Sequence, residues 1–461
     1  MLLHSGEHPS LTGVLTRPDR AALPSPAGLW LNRGMSDALQ HIHDLGAFVS
    51  ASPSSFHAAR EGARRLAAAG FTGLDETRGW PAGPGKYFVV RDGALIAWIT
   101  PGTAGPATGF SILGTHTDSP SFKLKPRPTT GRLGWLQAGV EVYGGPLLNS
   151  WLDRELQLAG RMVTLDGEER LVETGPLLRF PQLAIHLDRA VNEGLKLDKQ
   201  QQMNPVWGLG DPSAADLVGL LAAKAGLPAD QIGGYDIVAA DTQEPRVFGA
   251  RDEFFASGRL DNLSSVHAGL TALIAAADAK TDGSIAVLAA FDHEEVGSAS
   301  RSGAAGPFLE DVLNRITDSL GGSPVDRQRA FAASFCISAD AGHAVHPNYA
   351  ERHDPANQPV LNGGPLLKIN ANQRYTTDAP GAARWAALCA RAEIPYQEFV
   401  SHNSVPCGST IGPLTATRLG IRTVDVGIPL LSMHSAREMA GVQDPFRLAA
   451  VSEVFFTGTA L

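Results

Sequence analysis

Cysteine is scarce in this chain: three in 461 residues, Cys336, Cys389 and Cys407, with no CxxC spacing among them. That excludes a disulfide-stapled scaffold and a thiolate zinc site, and it suits a reducing cytoplasm. Long apolar runs are missing too. No stretch approaches the roughly 18 consecutive apolar residues that a membrane span needs, so the expectation is a soluble, cytoplasmic protein with no membrane partner. Positive charge is in deficit, with 38 Lys and Arg against 47 Asp and Glu and a formal net charge of −9. Nucleic acid and anionic membranes need a basic surface, so neither is expected as a partner. Internal repeats and low-complexity tracts are also absent. What remains is a chain with 43% apolar residues, enough for a large core, and a length that predicts two domains.

The first 34 residues carry Pro, Arg and Gly without periodicity, and their only apolar run is too short for a secretory signal; they read as a disordered arm. From Met35 the pattern changes. Ala38, Leu39, Ile42, Leu45, Phe48 and Val49 recur at three and four residues, one apolar face of a helix. A second helix is predicted from Phe56 to Ala69, closed by Gly70. Short, nearly continuous apolar runs follow at Phe110 to Leu113, Ile285 to Phe291, Phe335 to Ser338 and Val424 to Ile428. They are separated by helical patterns such as Leu263, Val266, Leu270, Leu273 and Ala277, as expected for strands buried on both faces of a helix-covered sheet. Between about Phe122 and Gly249 the texture is strand-like (Gly139 to Tyr143, Leu156 to Val163), with many turns and one helix near Ala214 to Ala225. The expected fold is therefore α/β: a helix-covered mixed sheet built from residues 35–121 and 250–461, interrupted by a strand-rich domain at 122–249. A closing helix is expected at Asp444-Pro445, with Asp444 as its N-cap.

Polar clusters sit at or just after the carboxyl ends of the predicted strands, where open α/β sheets place their ligand sites. They are Gly114-Thr-His116-Thr-Asp118-Ser-Pro, Asp292-His293-Glu294-Glu295, Ser338-Ala-Asp340-Ala-Gly-His343 and Met433-His434-Ser435. A fifth, Ser257-Gly-Arg-Leu-Asp261-Asn262, opens a helix. Singly, each has a plainer reading: a His–Asp surface pair, a solvated Glu-Glu turn, a hydrogen-bonded core histidine, a helix cap. Jointly, His116, Asp261, Glu295, Asp340 and His434 supply two imidazoles and three carboxylates. That set holds a pair of borderline divalent ions such as Zn²⁺, Mn²⁺ or Co²⁺, with one carboxylate bridging. Asp118 is placed to accept the other ring N–H of His116 and hold its tautomer. Glu294, beside a ligand but not consumed as one, suits a general base.

The strings GTHTDSP, SGRLDN, FDHEEVGS, ISADAGHAVHPNY, KINANQRY, CGSTIGP and MHSAREM resemble the aspartyl aminopeptidases, a family of two-metal exopeptidases. The resemblance runs from about Met35 to the C-terminus. It implies one metal on His116, Asp261 and Asp340 and a second on Asp261, Glu295 and His434, with Asp261 bridging, Glu294 as base and zinc as the first candidate metal. It implies substrate-binding roles for His186, His343, Lys368 and Tyr375. Their plainer readings are a surface histidine, a loop cap, a solvated charge and packing. It further implies a homo-oligomer, a tetrahedral dodecamer built from dimers, with 122–249 as the dimerisation domain and His186 reaching a neighbouring subunit's site. One departure stands out: Ser404 occupies a position where the family pattern has Asp. The activity implied is removal of an N-terminal residue, preferably Asp or Glu, from peptides. Two alternatives stay open, the same chemistry with a neutral or basic preference and a non-catalytic peptide-binding assembly protein.

Overall fold

The computed structural model describes residues 35–279 and 283–458; the arm expected at 1–34 lies outside them. Among the described residues there are three sheets, of nine, six and five strands. At the centre of the nine-stranded sheet the strand Phe110–His116 runs parallel to Ile285–Phe291 on one side and to Phe335–Ala339 on the other, and Arg422–Gly427 continues the parallel set. The edges turn antiparallel, through Ala94–Thr100 and Gly85–Arg91 at one side and Leu366–Ile369 at the other. Every residue of Phe110–His116, Ile285–Phe291 and Phe335–Ala339 is buried, which explains why these runs are nearly continuously apolar rather than alternating.

Helices cover both faces. One core packs Leu113 and Leu288 under the helices Met35–Ser50, Ser55–Ala68, Leu260–Ala276 and Gln443–Thr457; the other packs Ile112 and Val287 under Phe308–Ser319. The helix Leu260–Ala276 lies unusually close to the sheet at Gly269, where an added Cβ would meet Leu288 Cδ1 at 2.6 Å and Leu113 Cδ2 at 2.9 Å. A larger residue there would force the helix away from the strands that carry the site.

The six-stranded sheet is drawn from Ser121–Asp241 and is antiparallel throughout. Its core of Phe122, Leu158, Met162, Phe180 and Ile237 is completed by the helix Leu217–Ala225. The five-stranded sheet, which the sequence reading did not anticipate, joins Phe254–Ser257 to Glu438–Gly441 and Pro429–Leu431. One cap expectation fails. The closing helix spans Gln443–Thr457 with Val442 at its N-cap. The buried Asp444 carboxylate instead accepts from Asn362 N at 2.6 Å and Gly364 N at 3.0 Å, so a distant loop claims the acceptor that would have capped its own helix. Among the described residues no helix is long and apolar enough to cross a membrane.

Candidate metal centre

Sheet register brings the polar clusters together. Phe291 pairs with His116 and Ser338 with Gly114, so Asp292–Glu295 and Asp340 emerge at the same carboxyl edge as His116. Asp261 enters from the start of its helix, where Asp261 and Asn262 keep non-helical backbone angles and regular helix begins at Leu263. His434 follows the strand Pro429–Leu431. His116 Nε2 lies 3.4 Å from both Asp261 Oδ1 and Asp340 Oδ1. His434 Nε2 lies 3.4 Å from Glu295 Oε2 and 3.5 Å from Asp261 Oδ2. Asp261 thus faces both imidazoles, one through each oxygen.

Three overlapping groups have their ligand atoms within 4.8 Å of one another: His116–Asp261–Asp340, Asp261–Glu295–His434 and, bringing in Glu294, His116–Glu294–Glu295. The donor set fits a cation pair on a further observation. Asp261 Oδ1 and Glu295 Oε1 are buried without a hydrogen-bond partner, which is costly unless a cation serves them. Titration behaviour points the same way. Burial, then the Asp261 charge, pushes the Glu295 carboxyl well up; burial, with Asp340, Asp261 and Asp118 adding repulsion, pushes Glu294 up to about 8. Burial opposes charge on the imidazoles, yet their carboxylate partners win, raising His116 well above its ordinary value and His434 to about 9. All four groups hold protons more tightly than usual, so the cluster is short of positive charge.

Around the ligands a set of acceptors fixes the rings. His116 Nδ1 lies 3.1 Å from the Asp118 carbonyl and 3.4 Å from its Oδ1. The Asp118 carboxylate accepts from Glu294 N at 3.0 Å, Glu295 N at 3.1 Å and the Tyr143 hydroxyl at 2.8 Å. Burial alone would raise Asp118; hydrogen bonding and attraction from His116 hold it below the ordinary carboxylate range. Burial, then the Asp118 charge, pushes the Tyr143 phenol far up, so it stays a donor. His434 Nδ1 donates to Gly145 O at 3.0 Å. Glu294 keeps a 16% exposed side chain, against 5% for Asp261 and 30% for His434, and so is partly open to solvent.

Glu438 was not singled out in the sequence, although it lies inside the MHSAREM string. Its carboxylate accepts from Asp261 N at 3.0 Å and His434 N at 2.8 Å, clamping the backbones of two ligands. Burial, then repulsion from Asp261, pushes it up to about 8. Lys368 is buried, donates to Ala341 O at 2.7 Å, and stands 3.7 Å from Asp340 Oδ2 with the Tyr375 ring 5.3 Å away. It is therefore no solvated charge. His343 projects from the strand Gly342–His343 toward Phe399, ring centroids 6.2 Å apart. His186 is not in a strand; it lies in an exposed turn, and among the described residues no hydrogen bond or ion pair joins it to the cluster. Ser404, exposed, pairs with His402 Nδ1 at 2.8 Å and touches no ligand.

The family model for the aminopeptidase I zinc metalloproteases (M18) matches residues 48–456. A probable M18 family aminopeptidase 2 of Streptomyces avermitilis is 55% identical over 423 residues, covering 91% of this chain and 98% of its own. Among solved structures, a chain of the cryo-EM Ape4 and Nbr1 complex superposes with a TM-score of 0.88 at 37% identity, covering 92% of this chain and 86% of its own. The mApe1 dodecamer of S. cerevisiae superposes at 0.80 with 29% identity, covering 91% and 97%. A likeness running through nearly the whole chain and including the edge that gathers two imidazoles and three carboxylates leaves one conclusion: this protein belongs to the M18 family and is an aminopeptidase, a metallo-exopeptidase of the zinc metalloprotease class.

Proposed function

We propose that the chain removes an N-terminal Asp or Glu from peptides in the cytoplasm, using two divalent ions, zinc first among them, held by His116, Asp261 and Asp340 and by Asp261, Glu295 and His434. The observation that carries this is the position of Asp261 between the two imidazoles, with Glu294 beside the pair and partly open to solvent. When bound, the ions supply Lewis acidity that acidifies water and polarises a carbonyl. Glu294 takes the proton of the attacking water and delivers it to the leaving amine. Asp118 orients His116 and, through two backbone amides, the Glu294–Glu295 turn. His343 donates to the oxygen of the scissile carbonyl as negative charge develops there.

Acidic selectivity needs positive charge to offset four neighbouring carboxylates. Lys368 is a cation already held against the cluster, and Tyr375 packs beside it. A charge-assisted hydrogen bond contributes about 1.5–3 kcal/mol, enough for roughly ten- to hundredfold discrimination. The exposed turn at His186 supports its use by a neighbouring subunit, with 122–249 as the dimer contact in a dodecamer like that of its yeast relative. Metal analysis combined with a panel of Asp, Glu, Leu and Lys aminoacyl substrates tests the reading. Two ions per chain and preference for Asp and Glu are expected; a single ion, or Leu turned over faster than Asp, refutes it. Lys368→Met should cost Asp substrates far more than Leu substrates. An equal loss on both would assign Lys368 to holding Asp340 instead.

A further inference from the structure

Both imidazoles of the cluster turn Nε2 toward the carboxylates; with Nε2 given to a cation, each ring must carry its one proton on Nδ1 and needs an acceptor there. Both are reached, one directly and one through Asp118, by one short segment at the end of the strand Trp135–Tyr143, which belongs to the six-stranded sheet and not to the sheet that carries the site. Gly145 O receives the Nδ1 proton of His434 directly at 3.0 Å, and Leu147 N returns a bond to His434 O at 2.9 Å. The other imidazole is served by Asp118, whose carbonyl lies 3.1 Å and whose carboxylate lies 3.4 Å from His116 Nδ1, and the Tyr143 hydroxyl donates to that carboxylate at 2.8 Å. Between them Gly144, at φ +68°, passes so close that an added Cβ would stand 3.1 Å from Glu295 Cβ. Three consecutive residues therefore abut the surroundings of His116, Glu295 and His434.

We infer that Tyr143–Gly145 is a clasp by which the strand-rich region sets the tautomer and aim of both histidines, and that Tyr143 is a positioning residue acting on His116 through Asp118. The inference rests on the reading of His116 and His434 as metal ligands. Tyr143→Phe deletes only the hydroxyl; it leaves one acceptor site of Asp118 unserved while Glu294 N and Glu295 N still hold the carboxylate.

The test is zinc binding by the full chain in competition with a chromogenic chelator, for wild type, Tyr143→Phe, Asp118→Asn, the double variant and His116→Ala. Asp118→Asn should weaken one of two binding steps by roughly ten- to hundredfold, the usual cost of losing an outer partner of a ligating histidine, and Tyr143→Phe, one bond further out, by roughly tenfold. Because Tyr143 acts through Asp118, adding Tyr143→Phe to Asp118→Asn should cost less than threefold more; a merely structural loss would carry its full factor into the double variant. Wild-type affinity in Tyr143→Phe, or an undiminished effect on the Asp118→Asn background, overturns the clasp. If His116→Ala also keeps both ions, the ligand assignment itself fails, and the two failures are told apart.

Discussion

The nine-stranded and six-stranded sheets divide the work unevenly. The first supplies His116, Glu295 and Asp340 from the carboxyl ends of parallel strands buried on both faces. The second supplies none of the five candidate ligands, only Tyr143 and Gly145 against their outer atoms. Parallel strands end at one edge, so residues far apart in sequence converge there without special turns. An antiparallel sheet splits its strand ends between two edges, and here it lends one end as a brace. One region thus carries most of the candidate ligands, and the other contacts them from outside.

The largest effect should come from the region that carries the chemistry. Glu294→Gln keeps the side chain's shape and its backbone bond to Asp118 but cannot take a proton, so kcat should fall by two to four orders of magnitude. Both ions should stay bound, as read by metal analysis after gel filtration. An active variant would move the base elsewhere.

Truncation of matched core leucines probes whether the regions are separable. Leu288 and Leu158 are both fully buried, one in each core, and Leu→Ala at either should cost about 2–5 kcal/mol. With the strand-rich region bonded to His434 and Asp118, each variant should show one cooperative melting transition, shifted downward. A second transition in Leu158→Ala alone, with zinc retained across it, would show that the six-stranded sheet melts without disturbing the centre.

Much of this division was legible in the chain. Each of the polar clusters carrying His116, Glu295 and Asp340 follows a nearly continuous apolar run, which is the mark of a strand end in a covered parallel sheet. The antiparallel insert also showed its texture. What stayed hidden were partners chosen by tertiary contact. Asp444 followed by Pro445 reads as a helix cap, yet its carboxylate accepts from Asn362 N and Gly364 N of a distant loop. Tyr143 at a strand end reads as packing, because its bond to Asp118 depends on how two sheets meet. Glu438 sits four residues after His434, and nothing in that spacing says that it grips Asp261, 177 residues away, as well. Leu183, Ile185 and Leu187 alternate as strand residues would, yet all three are exposed and 185–187 form a turn, because the alternation has no buried face to pack.

Glu438 offers a smaller perturbation that compares the brace on the catalytic side with the one from the insert. Glu438→Gln retains one oxygen acceptor and turns the other position into a donor facing an amide, so either Asp261 N or His434 N loses its partner. Zinc affinity should drop by roughly tenfold, a change readable in the same chelator competition. Unchanged affinity would mean that the backbone clamp is redundant with the Gly145 bond to His434, leaving the insert as the principal brace.

The smallest effect concerns His57, in the helix layer that covers one face of the nine-stranded sheet. Burial, with Arg60 and Arg259 adding repulsion, pushes His57 down to about 4. Its ring faces Ser54 Oγ at 2.8 Å. The unfolded chain, with an ordinary histidine near 6.5, binds the proton first, so the stability contributed by His57 is fully present above about pH 6.5 and is lost as pH falls toward 4. The slope is at most about 1.4 kcal/mol per pH unit. Other groups titrate in the same window with the opposite sign: burial pushes the Asp444 carboxyl up to about 7, which favours the folded chain as pH falls. Wild type alone would therefore show a mixture. The difference between wild type and His57→Gln removes the shared groups. Measured by urea unfolding of the metal-free chain, the variant should be the less stable of the two above pH 6.5 and should gain on wild type steadily between pH 6 and 4.5. A stability difference that stays constant with pH would show that His57 protonates in the folded chain as readily as in the unfolded one, and that the helix layer is no drier around this ring than the solvent-facing insert.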